Sequence, residues 1–244
     1  MMNAATGIKI HNMKKAVLLL FILITLVSCS SVKKQIKRQK DIRSEENASF
    51  AMSWAMSKAH SNACNELRIY VNGKESFIPA TYTDYFTSYD IPGLNTFISS
   101  FNTYMRSYII HAIDELEPVA ARLVSDMVFQ NATYLAYISD VSGTSYFRDL
   151  YYGMIHLRIR EVMTSADYTY IEKAVELFNS YAVVQNHFSH NATVNEIKPV
   201  QYVELYTDIM TEEYFRILAS CEELVRTTPD PYADKRVSNV FGTY

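Results

Sequence analysis

The sequence predicts an all-α fold, a single bundle-like domain of about six to eight helices over residues 44–244. Six glycines and six prolines in 244 residues are too few turn-forming residues for a many-stranded sandwich or barrel. Apolar residues recur instead at intervals of three and four over long stretches, which is the spacing of one helix face. About 200 residues give such a domain ample length for a sizeable core.

The first helix is predicted to run from Ser44 to about Val71. The Ser44 hydroxyl can accept an N-cap hydrogen bond, and the two glutamates that follow it suit the positive end of the helix dipole. Asn72-Gly73 is a typical stop. The face expected to be buried comprises Phe50, Trp54, Ala59, Ala63 and Leu67.

The remaining helices follow from the same spacing. Residues 74–92 are predicted to be an irregular connection with a short extended piece at Ser76–Ile78. Residues 94–116 carry the most continuous apolar stripe. Pro118 suits the first turn of a further helix, because the missing N–H is not needed there, so a helical hairpin is expected. Other helices are predicted at 132–139, 144–164, 167–186, 201–226 and 232–240, with a polar loop from His187 to Pro199.

An apolar run ahead of the helical domain predicts a cleaved signal peptide. Lys14 and Lys15 precede the apolar segment 16–27. That segment is too short to span a bilayer, which needs about 20 apolar residues. The lysines directly follow Met13, so Met13 is predicted to be the true start of the chain.

The end of this run predicts a lipid anchor. Leu26-Val27-Ser28-Cys29 resembles the lipobox of bacterial lipoproteins. The resemblance implies that residues 1–28 are removed and that the Cys29 thiol receives a diacylglyceryl group. An ordinary secretory signal is the alternative. Ser30 and Ser31 provide no acidic residue after the lipid site, so the expected location is the outer membrane of the cell envelope, facing the periplasm.

Charge separates residues 29–43 from the rest of the chain. Residues 30–43 contain six Lys and Arg against one Asp, whereas residues 44–244 contain 14 against 25 Asp and Glu. A basic segment beside a membrane is attracted to anionic headgroups by about 1 kcal/mol per cation. Residues 29–43 are therefore predicted to be a short basic tether at the membrane, a solvated spacer being the alternative. An acidic body argues against nucleic acid as a partner.

Three groups of residues occur in the same order as in a known family. They are the helix at 120–132, the motif Gly143-x-x-Tyr146-Phe147-Arg148, and Arg226-Thr227-x-Pro229 followed by Val240-Phe241-Gly242. Together they resemble the bacterial family called domain of unknown function 4197, over most of residues 50–242. The resemblance implies a largely helical protein with a secretory or lipoprotein signal and implies no activity. The chain departs from the family at Tyr232, where an arginine is expected.

Catalytic motifs are scarce in this sequence. With so few glycines there is no phosphate-binding loop, no Gly-x-Ser-x-Gly and no His-Glu-x-x-His. Neighbouring carboxylates could act as acid and base, although a solvated helix face is the simpler interpretation. No cofactor is predicted. These acidic groups are Asp114/Glu115/Glu117, Glu212/Glu213 and Glu222/Glu223.

Histidines and cysteines supply two further candidate sites. His187 and His190, with Glu196 nearby, could contribute metal ligands, although two histidines in a polar loop are more often solvated. Cys64 and Cys221 form an even pair once Cys29 is assigned to lipid. They could be bridged in an oxidising compartment or remain buried free thiols.

Tyrosine is the unusual residue of the helical domain. All 19 tyrosines lie at or beyond Tyr70, and they outnumber the 11 leucines of residues 44–244. Tyrosine clusters at a surface favour recognition of a partner, whereas buried tyrosines need hydrogen-bond partners. Tyr146, Tyr151 and Tyr152, around Arg148, are the candidate interaction patch, with packing between helices as the alternative.

Two functions from different classes fit these observations. The first is a non-enzymatic lipoprotein of the cell envelope that binds an envelope protein partner or an apolar ligand, as a binding or scaffold protein. The second is an envelope hydrolase with a metal or carboxylate-pair site. The hydrolase requires His187 with His190, or Glu222 with Glu223, to face a shared cleft.

Overall fold

The computed structural model of the chain describes residues 44–78, 93–165, 168–188, 194–228 and 233–242. The predicted signal and tether lie outside these residues. The described residues form seven helices and no strand, so the all-α prediction is confirmed. Among them, no helix is both long enough and apolar enough to cross a membrane. The helices are α1 Glu45–Gly73, α2 Leu94–Asp126, α3 Ala132–Ile138, α4 Ser142–Thr164, α5 Tyr168–Phe188, α6 Pro199–Thr227 and α7 Lys235–Phe241.

Helix α1 begins and ends as its sequence predicts. The N–H of Asn47 donates to the hydroxyl of Ser44 at 3.4 Å, and the helix ends at Gly73. Three of the five residues predicted to be buried are fully buried. Phe50 and Trp54 are only partly buried and pack against the edge of the core.

Alanines make α1 the central helix of the domain. It packs against α2, α6, α7 and α3. Small side chains let neighbouring helix axes approach closely, because the distance between packed helices depends on the side chains at the contact. The buried alanines lie three or four residues apart, at Ala48, Ala51, Ala55, Ala59 and Ala63.

The expected hairpin at Pro118 is wrong, because α2 continues through this proline to Asp126. The buried stripe that contains Leu116 resumes at Ala120 and Val124, so packing against the core continues on both sides of Pro118. Proline costs a helix interior about 3 kcal/mol by removing one hydrogen bond and crowding a carbonyl. Pro118 is exposed, so water can reach the carbonyl left without its donor, and tertiary packing prevails over the local preference.

Residues 74–78 are irregular, and the extended piece expected at Ser76–Ile78 forms no strand. The backbone here bonds to a side chain of α2 instead of a neighbouring strand. The N–H of Phe77 donates to the Asn102 amide oxygen at 2.8 Å, and the Asn102 amide donates to the Glu75 carbonyl at 2.9 Å. The rest of the predicted connection, residues 79–92, lies outside the described part of the chain.

Three tyrosine hydroxyls in the core donate to backbone carbonyls. Tyr202 and Tyr206 stack with ring centroids 4.7 Å apart, and both hydroxyls donate to the carbonyl of Phe77. Tyr108 donates in the same way to the carbonyl of Met163. Burial raises the pKa of Tyr206 to about 12. Tyr108, Tyr202 and Tyr206 therefore serve packing, and each of their buried hydroxyls is bonded to an acceptor.

Candidate functional site

A surface groove lies between α1 and α6. Its larger section has a volume of about 520 Å³ and is open to solvent along one side. Its apolar lining comprises Ile69 of α1 and Ile217 and Leu224 of α6. The amide side chains of Asn62 and Asn65 in α1 also line it. Pockets of about 300–1,000 Å³ are the usual size of ligand sites. The groove thus offers apolar contacts and amide hydrogen bonds on one surface.

A second section extends the groove along the same two helices. It has a volume of about 290 Å³ and shares Asn62 and Leu224 with the first section. Trp54 and Lys58 line it from α1, and Val225 lines it from α6. Residues 54 to 70 of α1 border the two sections, which corresponds to about 24 Å of helix at 1.5 Å per residue.

Both cysteines of the predicted bridge are buried free thiols in this structure, so no disulfide joins α1 to α6. Cys221 forms part of the groove wall and Cys64 lies beneath it. Burial raises the pKa of Cys64 to about 12 and also raises the pKa of Cys221. Since the thiolate is the reactive form, neither cysteine is suited to act as a nucleophile.

A buried ion pair joins α6 to the beginning of α4. The side chains of Glu222 and Arg226, at i and i+4 on α6, are 0% and 1% exposed, and their Oε1 and Nη1 atoms lie 2.9 Å apart. Glu222 accepts from the backbone N–H groups of Gly143 at 2.9 Å and Thr144 at 2.6 Å. The residue before α4, Val141, has no side chain that can cap the helix, so the Glu222 carboxylate replaces the missing cap.

Arg226 extends this network to two further helices. Its guanidinium donates to the carbonyl of Ala136 in α3 at 2.6 Å and to the hydroxyl of Ser142 at 3.0 Å. It also lies 4.8 Å from the ring centre of Phe241 in α7. One buried arginine thereby connects four helices. Gly143, Arg226 and Phe241, which belong to the motifs described above, all take part in this network.

Position 143 has no room for a side chain, so it requires glycine. A β-carbon at this position would lie 2.7 Å from Oε1 of Glu222 and 2.8 Å from Sδ of Met56. Contacts under 3 Å are much closer than ordinary van der Waals separation, so any larger residue must displace the carboxylate or the methionine.

The carboxylate groups predicted from the sequence do not form an acid–base pair. Glu222 is buried in the network above, whereas Glu223 is exposed on α6, so the two do not face a shared cleft. The acidic residues of the other groups are bound to arginines on the surface. These pairs are Arg68 with Asp114 and Glu117, Arg158 with Glu115, Arg148 with Glu212, and Arg216 with Glu213.

The four residues of the predicted aromatic patch are partly buried between helices, so only part of each is exposed. Tyr146 stacks on Phe129 and donates to the carbonyl of Val128 at 3.1 Å. Arg148 and Tyr152 both bond to the Glu212 carboxylate, at 2.7 Å and 2.9 Å. Tyr151 contacts the ring of Phe147. Helix packing, the alternative interpretation, describes this cluster.

The predicted histidine pair is only partly described. His187 lies exposed in the last turn of α5, and His190 lies outside the described residues. Across the residues that the structure does describe, no group of three His, Cys, Asp or Glu side chains is placed to hold a metal ion.

The sequence interpretation missed a buried histidine in α1. His60 Nε2 lies 3.1 Å from the carbonyl of Glu117, which can only accept, so Nε2 carries the proton. Nδ1 then accepts from the hydroxyl of Tyr214 at 3.0 Å. Burial lowers the pKa of His60, and the hydrogen bond to Glu117 opposes this only in part. The folded state therefore favours the neutral form of the His60 ring.

Stability is expected to fall as the pH drops below 6.5, the ordinary pKa of histidine. The folded state binds the His60 proton less readily than the unfolded state, so protonation favours unfolding until the lower folded pKa is reached. Urea unfolding between pH 7.5 and 5 should show this slope. In His60→Gln the slope should diminish, whereas His156→Gln, which removes a partly exposed ring paired with Asp208, should retain it. An unchanged slope in His60→Gln would contradict the assignment.

Comparison of the chain with protein-family models, with curated proteins and with solved structures found no match.

Proposed function

We propose that this chain is a lipid-anchored protein of a bacterial cell envelope that binds a segment of a partner protein in the groove between α1 and α6. The anchor is Cys29, and the basic tether of residues 29–43 connects it to the helical domain. The protein acts by binding and not by catalysis. The observation that carries the binding role is the groove, a two-section surface that contains apolar, amide and charged side chains.

The chemistry of the groove favours a protein segment over an acyl chain. An acyl chain is stabilised by an enclosed apolar cavity, whereas this groove is open to solvent and includes the amides of Asn62 and Asn65, to which an acyl chain cannot hydrogen-bond. A helical or extended segment of a protein presents apolar side chains and polar groups together. Ile69 and Leu224 would contact its apolar face, and the two asparagines would bond to its polar groups.

The alternative of an envelope hydrolase gains no support from the described residues. Its carboxylate pair requires Glu222, and that side chain is already bound to two backbone N–H groups and to Arg226. The similarity to domain of unknown function 4197 remains part of the proposal. In its favour, Gly143, Arg226 and Phe241, which belong to the similar motifs, contact one network.

Photo-crosslinking in the native host tests the groove. A photoreactive amino acid replaces Leu224 in the full chain, and a matched variant carries it at Val183 on α5. The two positions are 59% and 58% exposed, so general collisions should label them equally. We expect one discrete protein adduct at position 224 and none of that mass at position 183.

A second substitution separates binding in the groove from incidental contact. Ile69→Asp places a charge in the groove at an exposed position, so the fold should be retained while an apolar contact is lost. The adduct at position 224 should then decrease by about tenfold, which corresponds to about 1.4 kcal/mol. An adduct that persists in Ile69→Asp, that appears equally at position 183, or that contains lipid and no protein would contradict the proposal.

A further inference from the structure

Helix α3 has an exposed apolar face. Tyr134, Tyr137 and Ile138 lie at positions i, i+3 and i+4, which places them on one side of the helix. All three are more than half exposed, and Val128, in the turn that leads into α3, is 76% exposed. The opposite side of α3 is buried through Ala132 and Ala136. The helix therefore carries apolar side chains on both its inner and outer sides, which a helix that faces only water does not need.

The outer face of α3 lies beside the point where the tether enters the domain. The carboxylate of Glu45, the first residue of α1, accepts from the backbone N–H groups of Ala132 and Thr133 and from the Thr133 hydroxyl at 2.7 Å. The hydrogen bond from Thr133 lowers the pKa of Glu45, so the carboxylate remains charged and bonded to α3. The beginning of α3 is thereby fixed to the beginning of α1, one residue after Ser44.

The tether limits how far this end of the domain can move from the membrane. Ser44 lies fifteen positions after Cys29, and a fully extended chain of that length spans at most about 50 Å. Six basic residues in the tether are attracted to anionic headgroups, which shortens the distance further. A surface held this close to its target meets it at a high effective concentration, so even a weak contact is occupied.

The side chains on this face are those suited to a lipid interface. Tyrosine places an apolar ring among acyl chains and its hydroxyl among headgroups, and isoleucine contributes burial alone. A short helix with such a face can lie in the plane of the interface. An exposed apolar side chain on another helix provides a comparison position. Leu157 on α4 lies fifteen residues beyond Ser142, or about 22 Å along the helix axis.

We propose that the face formed by Tyr134, Tyr137 and Ile138 docks onto the lipid bilayer that holds Cys29. The inference rests on the proposed lipid anchor. Docking fixes the orientation of the domain, with the beginning of α1 and the whole of α3 at the membrane and the groove along α1 extending away from it.

Depth-dependent fluorescence quenching tests this orientation. Ile138→Cys and Leu157→Cys are matched positions, because both side chains are 53% exposed. Each full-length variant is purified in lipidated form, labelled with bimane, and placed in vesicles of phosphatidylethanolamine and phosphatidylglycerol at 3:1 with brominated lipid. The chain without either substitution measures background labelling of Cys64 and Cys221. Circular dichroism and thermal unfolding confirm that each variant is folded.

We expect brominated lipid to quench the label at position 138 at least threefold more strongly than the label at position 157. Adding Tyr134→Ser should reduce the quenching at position 138, because part of the docking face is lost. Mass spectrometry of the same samples reports the state of Cys29. An acylated chain with equal quenching at both positions overturns this inference alone, whereas an unacylated Cys29 overturns the anchor and this inference together. Protection of position 138 in native membranes that is lost in vesicles would place a protein on α3 and would also overturn it.

Discussion

Arg226→Ala is expected to lower the free energy of unfolding by about 3–5 kcal/mol, the usual cost of removing one partner from a buried ion pair. The substitution leaves the Glu222 carboxylate without its cation in a site that water does not reach. It also removes the donor that bonds the carbonyl of Ala136, which adds the cost of an unsatisfied buried acceptor. Four helices meet at this side chain, so the loss should affect the whole domain.

Chemical unfolding followed by circular dichroism measures this effect. The matched control is Arg216→Ala, in the same helix. Arg216 forms an ion pair with Glu213, which lies three residues before it. The Arg216 side chain is 61% exposed, so water screens the pair and it should contribute about 0–1 kcal/mol. The control should therefore remain close to the unsubstituted chain. Equal losses in the two variants would show that Arg226 is not the central contact of the domain.

Gly143→Ala is expected to destabilise the domain by about 1–3 kcal/mol through overpacking alone. The added methyl group would lie 2.7 Å from a Glu222 oxygen that already bonds the beginning of α4. Moving that oxygen weakens both the replacement cap and the ion pair with Arg226, so the effect should fall at the upper end of this range.

Gly153→Ala is the control in the same helix, and its effect should have the opposite sign. Nothing lies within 4 Å of a β-carbon at Gly153, so the methyl group meets only solvent. Alanine in a helix interior is favoured over glycine by roughly 0.5–1 kcal/mol, so this variant should be more stable than the unsubstituted chain. If both glycines tolerate alanine equally, the close approach of Glu222 to α4 is not present in the protein.

The helices could be predicted from the sequence because their information is local. Ser44 and Gly73 delimit α1 through their own backbone chemistry, and apolar residues three or four apart define the buried faces. Pro118 was misinterpreted because its local preference favours a helix start, whereas the packing of residues on either side of it extends α2. That packing depends on the helices that α2 contacts, α1, α4 and α5, and not on the residues next to Pro118 in sequence.

The buried network and the groove could not be predicted in the same way. Glu222 and Arg226 at i and i+4 have the spacing of an ordinary surface pair. Only their position distinguishes them from a surface pair. They lie on the apolar stripe that includes Phe215 and Leu218, where charged residues are uncommon. The groove has no local pattern at all, because it is formed by the meeting of two helices separated by more than a hundred residues.

The central claim is that Cys29 fixes the helical domain to a membrane, and mass spectrometry of the mature protein from its native host tests it most directly. The account predicts that the chain begins at Cys29, that residues 1–28 are absent, and that the sulfur of Cys29 carries a diacylglyceryl group. In Cys29→Ser the protein should leave the membrane fraction or retain its signal peptide. A mature chain that begins elsewhere, or a Cys29 thiol without lipid, would contradict it.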